Sequence, residues 1–339
     1  MKLLVEEIGA TNAGEWDAFL EKQPVYQAFE SSPLLLALND NPYYTAHGRL
    51  FRDRENAGEI VAGYVFYVAQ EVRGLAAWLT TRVLLNGGPV IDLDYLPCLP
   101  EVLDDLLHHP RLKGTYLELW HTVDRSENAP VFEKKGFTYA PHLNYFIDLS
   151  AGQEEVWKRI QERKRRYIKK NINILNIHLV QSEPELKLFY KILEETYQKI
   201  KLPLIDYSIF KDVYDNNAGL FILAEKEGQV VAARVALKFG KSLYDWFAGA
   251  TIQASSGHVN ESMVWWVLCY GIQHGCEWFD FGGAGRPDQP YGVRDFKAEF
   301  GGTLVNFGRH KYILSPLKNQ ILDAVIRTRA WWINRKAKG

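Results

Sequence analysis

Residues 275–302, GCEWFDFGGAGRPDQPYGVRDFKAEFGG, decide the fold of this chain. The segment predicts a buried strand over 277–281, a glycine-rich loop, and a short element that carries Lys297 between two phenylalanines. Four glycines between the strand and the lysine permit backbone conformations that a Cβ atom would disfavour. Alternation along the strand sends Asp280 to the face opposite its two phenylalanine neighbours. The pattern indicates a functional site with Lys297 and Asp280 as candidate catalytic residues.

Both residues also have ordinary structural interpretations. A lysine in a surface loop can form an exposed ion pair with Asp295 or Glu299, and such pairs are common. Asp280 is equally compatible with capping the backbone N–H groups of the loop that follows it. In the functional interpretation, Lys297 holds its charge against an anionic transition state or a phosphate. As a surface-loop residue, it is expected to contribute little to folding stability.

The residues before this segment predict a strand-rich second half with one long helix. Glu227-Gly228 is a hairpin signal between two apolar runs. Asn260 is predicted to cap the long helix, which ends before Gly275 in the position that favours a left-handed glycine. The predicted strands are 220–225, 230–239, 243–250, 277–281 and 304–314.

The first half follows the same order of elements. Its predicted strands are 2–8, 45–52, 59–72, 115–120 and 137–149. Four helices are predicted: one that Thr11 or Asn12 caps, a short one within 24–39, and two over 99–108 and 129–135. Each half runs hairpin, strand, helix, strand, short element, strand. A length of 339 residues also favours two domains. We therefore expect an α/β fold with mixed α+β sheets, as two similar domains over 1–150 and 151–315, followed by a helix over 316–339.

The net charge is only −1, because 40 Lys and Arg balance 41 Asp and Glu. The molecule as a whole therefore has no positive field that would attract a polyanion such as nucleic acid. A local patch is the remaining route to nucleic acid. The helix predicted around 157–175 contains eight basic residues between 158 and 170, on most of its sides. A solvated helix is the simpler interpretation. The alternative is a phosphate-binding ridge for tRNA or a nucleotide-sugar diphosphate, formed by Arg163, Arg166 and Lys170.

Metal, disulfide and membrane-spanning signals are weak. Three cysteines have no metal-like spacing, and their odd number does not favour a disulfide framework, so a reducing cytoplasm is expected. His108-His109 lack a third ligand, and no metal site is predicted. The N-terminus has no signal-peptide core, and the uncharged run 262–276 is too short to span a bilayer. Trp331-Trp332 lie among basic residues and are compatible with membrane headgroups, although packing on the first domain is favoured.

Several strings in the sequence resemble the FemAB peptidyltransferases, which build the interpeptide bridges of peptidoglycan and belong to the GNAT-like acyl-CoA N-acyltransferase superfamily. The strings are NESMVWWVLCYGIQHGC at 260–276, FDFGGAG at 279–285, YGVRDFKAEFGG at 291–302, WKRIQERKRRYIKKN at 157–171 and NGGP at 86–89. The likeness extends over nearly the whole chain. It implies two tandem GNAT-like domains, with the C-terminal helix packed back on the first.

The resemblance also implies an activity. It maps the family's essential lysine onto Lys297 and a tyrosine near the substrate phosphates onto Tyr244. Family members that build bridges use aminoacyl-tRNA as donor and a cell-envelope precursor, such as a nucleotide-sugar peptide or lipid-linked glycan, as acceptor. No bound cofactor and no DNA are expected, and contact with the inner face of the membrane is compatible with such an acceptor. The candidate substrate-binding residues are Tyr244, Trp246, Asn260, Tyr291, Arg294 and Phe296.

The alternative donor is acyl-CoA, used for N-acylation of an amino sugar. Enzymes of this kind hold the CoA pyrophosphate in a (Gln/Arg)-x-x-Gly-x-(Gly/Ala) turn at a helix N-terminus. The nearest matches, 253–258 and 82–87, both depart from this pattern. The departure favours the aminoacyl donor. A third interpretation, a binding protein that keeps the fold without catalysis, also follows because fold does not dictate function.

Overall fold

The structure is a computed structural model that describes residues 2–56, 58–70, 72 and 74–336. Its strands are β1 (Leu3–Glu7), β2 (Tyr44–Asp53), β3 (Ile60–Ala69), β4 (Arg82–Gly87), β5 (Val90–Ile91), β6 (Tyr116–His121), β7 (Thr138–Ala140), β8 (Asn144–Asp148), β9 (Asn176–Leu179), β10 (Leu220–Lys226), β11 (Gln229–Phe239), β12 (Ser242–Ala250), β13 (Trp278–Gly283), β14 (Thr303–Val305) and β15 (Arg309–Ile313). Its α-helices are α1 (Ala13–Glu21), α2 (Ser32–Leu38), α3 (Ala77–Thr80), α4 (Leu99–Leu107), α5 (Ala129–Lys134), α6 (Gly152–Arg159), α7 (Glu162–Asn171), α8 (Glu183–Ile200), α9 (Tyr207–Asp215), α10 (Ile252–Ser256), α11 (Val259–Gln273), α12 (Gly292–Ala298) and α13 (Pro316–Lys336).

Two mixed sheets have the same plan. The first has the strand order β1-β2-β3-β4-β6-β15-β7, with β5 also paired to β3. The second has the order β9-β10-β11-β12-β13-β8-β14. In each sheet one central pair is parallel, β4 with β6 and β12 with β13, and a helix-containing crossover joins the two strands. The predicted α/β class with two similar units of mixed sheet is confirmed.

The two sheets exchange a strand, and here two predicted strands are wrong. The segments 137–149 and 304–314 each form two strands that belong to different sheets, so β8 completes the second sheet and β15 completes the first. β7 ends before Pro141, which has no backbone N–H to donate. β14 and β15 are separated by a segment that contains Gly308, which has a φ of 70°. The crossing segments meet where the His142 N–H donates to Asn306 Oδ1 at 3.0 Å. Sheet membership therefore does not follow the expected boundaries at 150 and 315.

An aromatic core joins the two halves. Phe29, in a 3₁₀ turn of the first half, packs edge-on against Tyr244 of β12, with ring centres 4.9 Å apart. Phe29 also accepts a hydrogen bond at its carbonyl oxygen from Tyr67 Oη, at 2.7 Å. These residues are buried in one cluster that also contains Phe210 of α9. Burial of each such ring stabilises the fold by roughly 1.5–3 kcal/mol, so the interface between the halves is part of the folded core.

The basic helix α7 packs on α11. Lys164 is buried and forms an ion pair with Glu261 of α11, at 2.8 Å, so it does not belong to a solvated face. The N-cap of α11 is His258, which corrects the prediction of Asn260; Asn260 lies in the first turn. The glycine predicted after the helix, Gly275, has a φ of 73°.

The C-terminal helix α13 lies against α3 of the first half. Lys318 Nζ lies 5.4 Å from the ring centre of Trp78, and Lys311 Nζ donates to Asn319 Oδ1 at 3.3 Å. The two interpretations of Trp331-Trp332 depend on side chains that lie outside the described part of the structure. Residues 337–339 also lie outside it. None of the helices in the described part of the chain combines the length and the apolar character that crossing a bilayer requires.

Candidate functional site

A cleft opens where two parallel strands separate. Pairing between β12 and β13 covers only Ser242–Tyr244 with Trp278–Asp280, although β12 continues to Ala250. The space between the diverging strands is part of a cleft of about 610 Å³. In the first sheet, β4 and β6 stay paired as far as Gly87 and His121. The divergence is therefore a property of the second half.

A β-bulge shapes one wall of this cleft. Val235 pairs with Phe247 and Ala236 pairs with Asp245, which leaves Trp246 as the extra residue of β12. A bulge bends its strand and re-aims the side chains beside it. Trp246 lines the cleft, and its ring lies 6.3 Å from that of Phe29. The bulge and the core between the halves therefore fix the same wall of the cleft.

Lys297 is buried, which corrects the prediction of a surface-loop lysine. It lies in the last turn of α12 and is 8% exposed. Its Nζ donates to the carbonyl oxygens of Phe281 and of Gly283, the latter at 2.9 Å. Glu299 instead pairs with Arg163 and Lys164, so the suggested exposed pair with it is wrong. A lysine ammonium has three donors, and the two carbonyls leave one for the cleft that Lys297 lines.

Asp280 lies beside the cleft and is fully buried. Its Oδ1 accepts the Gly282 N–H at 2.7 Å, the local cap that the sequence allowed, and Asn144 Nδ2 at 2.8 Å. Its Oδ2 accepts Gln27 Nε2 from the first half. Asp280 lines a small cavity of about 30 Å³ that adjoins the larger cleft. The carboxylate therefore joins β8, β13 and the first-half turn at one point.

Burial shifts the pKa values of both candidate catalytic groups. Burial raises the pKa of Asp280 to about 6, against the hydrogen bond from Gly282 and the charge of Lys297, which lower it. Burial lowers the pKa of Lys297, while Asp245 and Asp280 oppose that shift. Asp245 Oδ1 accepts a hydrogen bond from Arg234 Nη1 on the neighbouring strand β11. Asp245, Arg234 and Lys297 line the cleft, and Asp280 adds a second carboxylate beside it.

Five of the six predicted substrate-binding residues line the cleft, namely Tyr244, Trp246, Asn260, Tyr291 and Phe296. Burial and the nearby Asp280 raise the pKa of Tyr244, so its hydroxyl stays protonated. Tyr291 is 41% exposed and begins α12 as its N-cap. Arg294 is outside this lining, since it donates to the carbonyl oxygens of Arg286 and Gln289 at 2.9 and 2.7 Å. Arg294 braces the loop before α12.

Sequence reasoning missed the first-half wall of the cleft. Trp120 of β6, His142 of the crossing segment and Arg309 of β15 all line it. Gln27 and Asn144, which hold Asp280, were missed as well. Gln27 is 253 residues away from Asp280 in the sequence, and Asn144 is 136 residues away. No local pattern marks such residues, because only the strand exchange and the core between the halves bring them to the site.

The candidate phosphate-binding residues lie outside the lining of the cleft. Arg163 is exposed but pairs with Glu299 at 2.5 Å. Arg166 and Lys170 are exposed on α7, and the described residues provide no ion pair to either. Two of the three therefore have free charge at the surface.

The N-terminus of α11, where a pyrophosphate would sit in a CoA enzyme, holds a carboxylate of the chain itself. Glu261 is buried in the first turn, 2.8 Å from Lys164 Nζ. Burial alone would raise the pKa of Glu261, but the hydrogen bond and charge of Lys164 outweigh burial and lower it. Tyr167 stacks on the N-cap residue His258, with ring centres 3.5 Å apart. The first turn of this helix therefore already holds a buried Glu261–Lys164 ion pair, with the ring of Tyr167 against its N-cap residue.

Comparison with known proteins agrees with this architecture. Residues 158–297 match the acetyltransferase (GNAT) domain family. No curated protein sequence matches the chain. Among solved structures, FemX is 16% identical over 95% of this chain and 99% of that chain, with a TM-score of 0.68. L-PGS from Bacillus licheniformis is 16% identical over 91% and 95%, with a TM-score of 0.57.

A tandem GNAT protein from the clavulanic acid biosynthesis pathway is 9% identical over 93% of this chain and 99% of that chain, with a TM-score of 0.57. At such identities the likeness establishes the fold. The family match covers the diverging strands, α11 and Lys297, so it includes the second-half wall of the cleft. The chain therefore has a FemX-like fold built from two GNAT-like halves, and residues 158–297 are similar to the acetyltransferase (GNAT) domain family.

Proposed function

We propose that this protein transfers an aminoacyl group to an amine of a cell-envelope precursor and thereby forms an amide. The observation that carries the proposal is the placement of Lys297. Its ammonium is buried at the diverging strands, is fixed by the carbonyl oxygens of Phe281 and Gly283, and has one donor left for the cleft. A buried cation that is held in a fixed position beside a cleft is suited to stabilising charge that develops during acyl transfer.

The reaction joins the nitrogen of the acceptor amine to the carbonyl carbon of an aminoacyl ester. The attack creates a tetrahedral intermediate with a negative oxygen, to which Lys297 donates. Collapse breaks the carbon–oxygen bond to the tRNA ribose, whose oxygen takes up a proton, and the amine nitrogen loses one. Asp280 already accepts three hydrogen bonds, so it serves better as an anchor for β13 and as a counter-charge to Lys297 than as a base. Substrate groups are left to carry the proton.

Aminoacyl-tRNA is our proposed donor, used as a co-substrate without a bound cofactor. The carboxylate of Glu261 and the ring of Tyr167 cover the N-terminus of α11, which argues against a CoA pyrophosphate there. Arg166 and Lys170 offer free positive charge for the tRNA backbone. The three cysteines, Cys98, Cys269 and Cys276, are unpaired, which agrees with action in the cytoplasm on precursors made there.

The test is single-turnover amide formation with a panel of aminoacyl-tRNAs and acyl-CoAs and a nucleotide-sugar peptide as acceptor. We expect product from aminoacyl-tRNA, and binding of acyl-CoA weaker than about millimolar. Lys297→Ala should lower the rate by on the order of a hundredfold while substrate affinity changes much less. Lys297→Arg should restore activity only in part, because the guanidinium differs in shape and reach.

The matched control is Lys199→Ala, which removes an exposed lysine of α8. It should turn over like the wild type. Because Lys297 is buried, Lys297→Met supplies a variant that fills the same volume, and a melting curve accompanies each rate. A folded Lys297→Met or Lys297→Ala protein with the wild-type rate would contradict the proposal. Micromolar CoA binding would favour the acyl-CoA alternative.

A further inference from the structure

A further cation, Arg309, reaches the cleft from the first sheet. Arg309 begins β15, the strand that the second half contributes to the first sheet. Its guanidinium lies 3.6 Å from the ring centre of Trp120 and stacks on that indole. Its Nη2 donates to His142 Nε2 at 2.8 Å. Two side chains of the first-half wall therefore fix the position of this arginine.

The charge of Arg309 is incompletely balanced by the protein. Its nearest carboxylate among the described ion pairs, Glu118, is 3.8 Å away, beyond hydrogen-bonding distance. Glu118 Oε2 instead accepts from Trp120 Nε1 at 2.9 Å and lies 3.7 Å from Arg82. Burial lowers the pKa of Arg309, but an arginine stays protonated. The guanidinium therefore presents positive charge and spare donors to the cleft that it lines.

His142 orients Arg309 without competing for an anion. Because its Nε2 accepts from Arg309, the proton of the neutral ring is on Nδ1. Burial and the charge of Arg309 lower the pKa of His142 to about 4, so the imidazole is neutral near pH 7. His142 Nε2 also lies near Gly283, whose carbonyl oxygen binds Lys297. The arginine, on the first sheet, and the lysine, beside the second sheet, thus face the same end of the cleft.

We propose that Arg309, held by Trp120 and His142, binds an oxyanion, a phosphate or a carboxylate, of the acceptor substrate. The proposal rests on the proposed function, because that function places an acceptor beside Lys297. An aminoacyl ester is uncharged at its reacting carbonyl, whereas nucleotide-sugar and peptide acceptors carry phosphate and carboxylate groups. A guanidinium matches either oxyanion with two parallel hydrogen bonds. His142 is a positioning residue in this arrangement.

Calorimetry with two probes separates the sources of the oxyanion. UDP-N-acetylglucosamine supplies a diphosphate, and N-acetylglycylglycine supplies a carboxylate without phosphate. We expect the wild type to bind at least one of them, and Arg309→Gln to raise its Kd roughly 10- to 100-fold, as for loss of a charged hydrogen bond. The probe that responds identifies the group. Arg286→Gln, an exposed arginine paired with Asp288, is the control and should leave Kd unchanged.

His142 supplies a second route to the same answer if Arg309→Gln does not fold. His142→Ala should raise Kd several-fold, and His142→Gln should restore it in part, since an amide oxygen can accept from Arg309. Failure of the wild type to bind either probe, or an unchanged Kd in Arg309→Gln and His142→Ala, would overturn the proposal. Loss of binding in Arg309→Gln, with normal turnover in Lys297→Ala, would instead contradict only the proposed function.

Discussion

Glu30 is a buried acid whose protonation couples stability to pH. It is 2% exposed, its Oε2 accepts the Gln27 N–H at 2.7 Å, and its carboxyl group lies against Gly87, which has a φ of 97°. Burial raises the pKa of Glu30 to about 8, against the opposing effects of the Gln27 N–H and the charge of Arg125. The folded protein therefore keeps this proton at pH values at which the unfolded chain has lost it.

This raised pKa predicts a loss of stability as pH increases. The contribution of Glu30 is fully present below about pH 4.5, the value in the unfolded chain, and declines up to about pH 8. Each pKa unit corresponds to about 1.4 kcal/mol. We expect Glu30→Gln to flatten this decline in urea unfolding between pH 5 and pH 8.5. Glu127→Gln changes an exposed glutamate that lines the same cavity as Glu30, and it should keep the wild-type slope. Equal slopes in all three proteins would refute the assignment.

Among single residues, the candidate site residues that the sequence predicted are those with a local sequence pattern around them. Lys297 and Asp280 were marked by their apolar neighbours and by the glycines between them. The burial of Lys297 was not predicted. The hydrogen bonds that fix its Nζ go to backbone carbonyl oxygens of β13, and a pattern of side chains does not reveal such bonds. Arg309 and His142 were not foreseen either, since their place in the cleft depends on which sheet β15 joins.

At the scale of elements, α7 divides its positive charge between two environments. Lys164 faces inward, where its Nζ pairs with Glu261 and lies 4.2 Å from the ring centre of Phe296. Arg166 and Lys170 face outward and are exposed. The predicted helix over 157–175 is two helices, so Lys158 and Arg159 end α6 and the other six basic residues lie on α7. The charge count alone does not separate the structural Lys164 from the exposed Arg166 and Lys170.

Charge reversal of the surface set tests its role in substrate binding. Arg166→Glu with Lys170→Glu should weaken binding of tRNA at low salt, because each cation that contacts a phosphate releases a counterion. The loss should shrink as salt rises, and filter binding across a salt series measures both effects. Lys191→Glu on α8 is the control for a change of net charge. Equal affinity of the wild type and the double variant at low salt would return α7 to the solvated-helix interpretation.

The elements themselves were largely predictable, and their partners were not. The hairpin at Glu227-Gly228 and the helix ending before Gly275 follow from turn and capping chemistry, and both are present. The two segments around Pro141 and Gly308 have continuous strand-like patterns, which predict extended backbone but carry no information on which sheet they join. Pairing across more than 160 residues is a property of the tertiary fold.

At the scale of the whole molecule, the exchange of β8 and β15 predicts one unfolding transition. Removal of β15 from the first sheet would separate β6 from β7, and removal of β8 would separate β13 from β14. The aromatic core between the halves adds to this coupling. We expect calorimetric and van't Hoff enthalpies of unfolding to agree, as for a single cooperative unit. Two resolved transitions, or a fragment of residues 1–142 that folds by itself, would contradict this expectation.

The position of β15 also constrains how the protein is made. Domains usually fold in turn as they leave the ribosome, the N-terminal one first. Here the first sheet lacks its sixth strand until residue 313 has been synthesised, long after residue 140, where β7 ends. During that time β6 presents an unpaired edge, a known template for wrong association. We therefore expect the nascent chain to need cover on the edge of β6 until β15 has been synthesised.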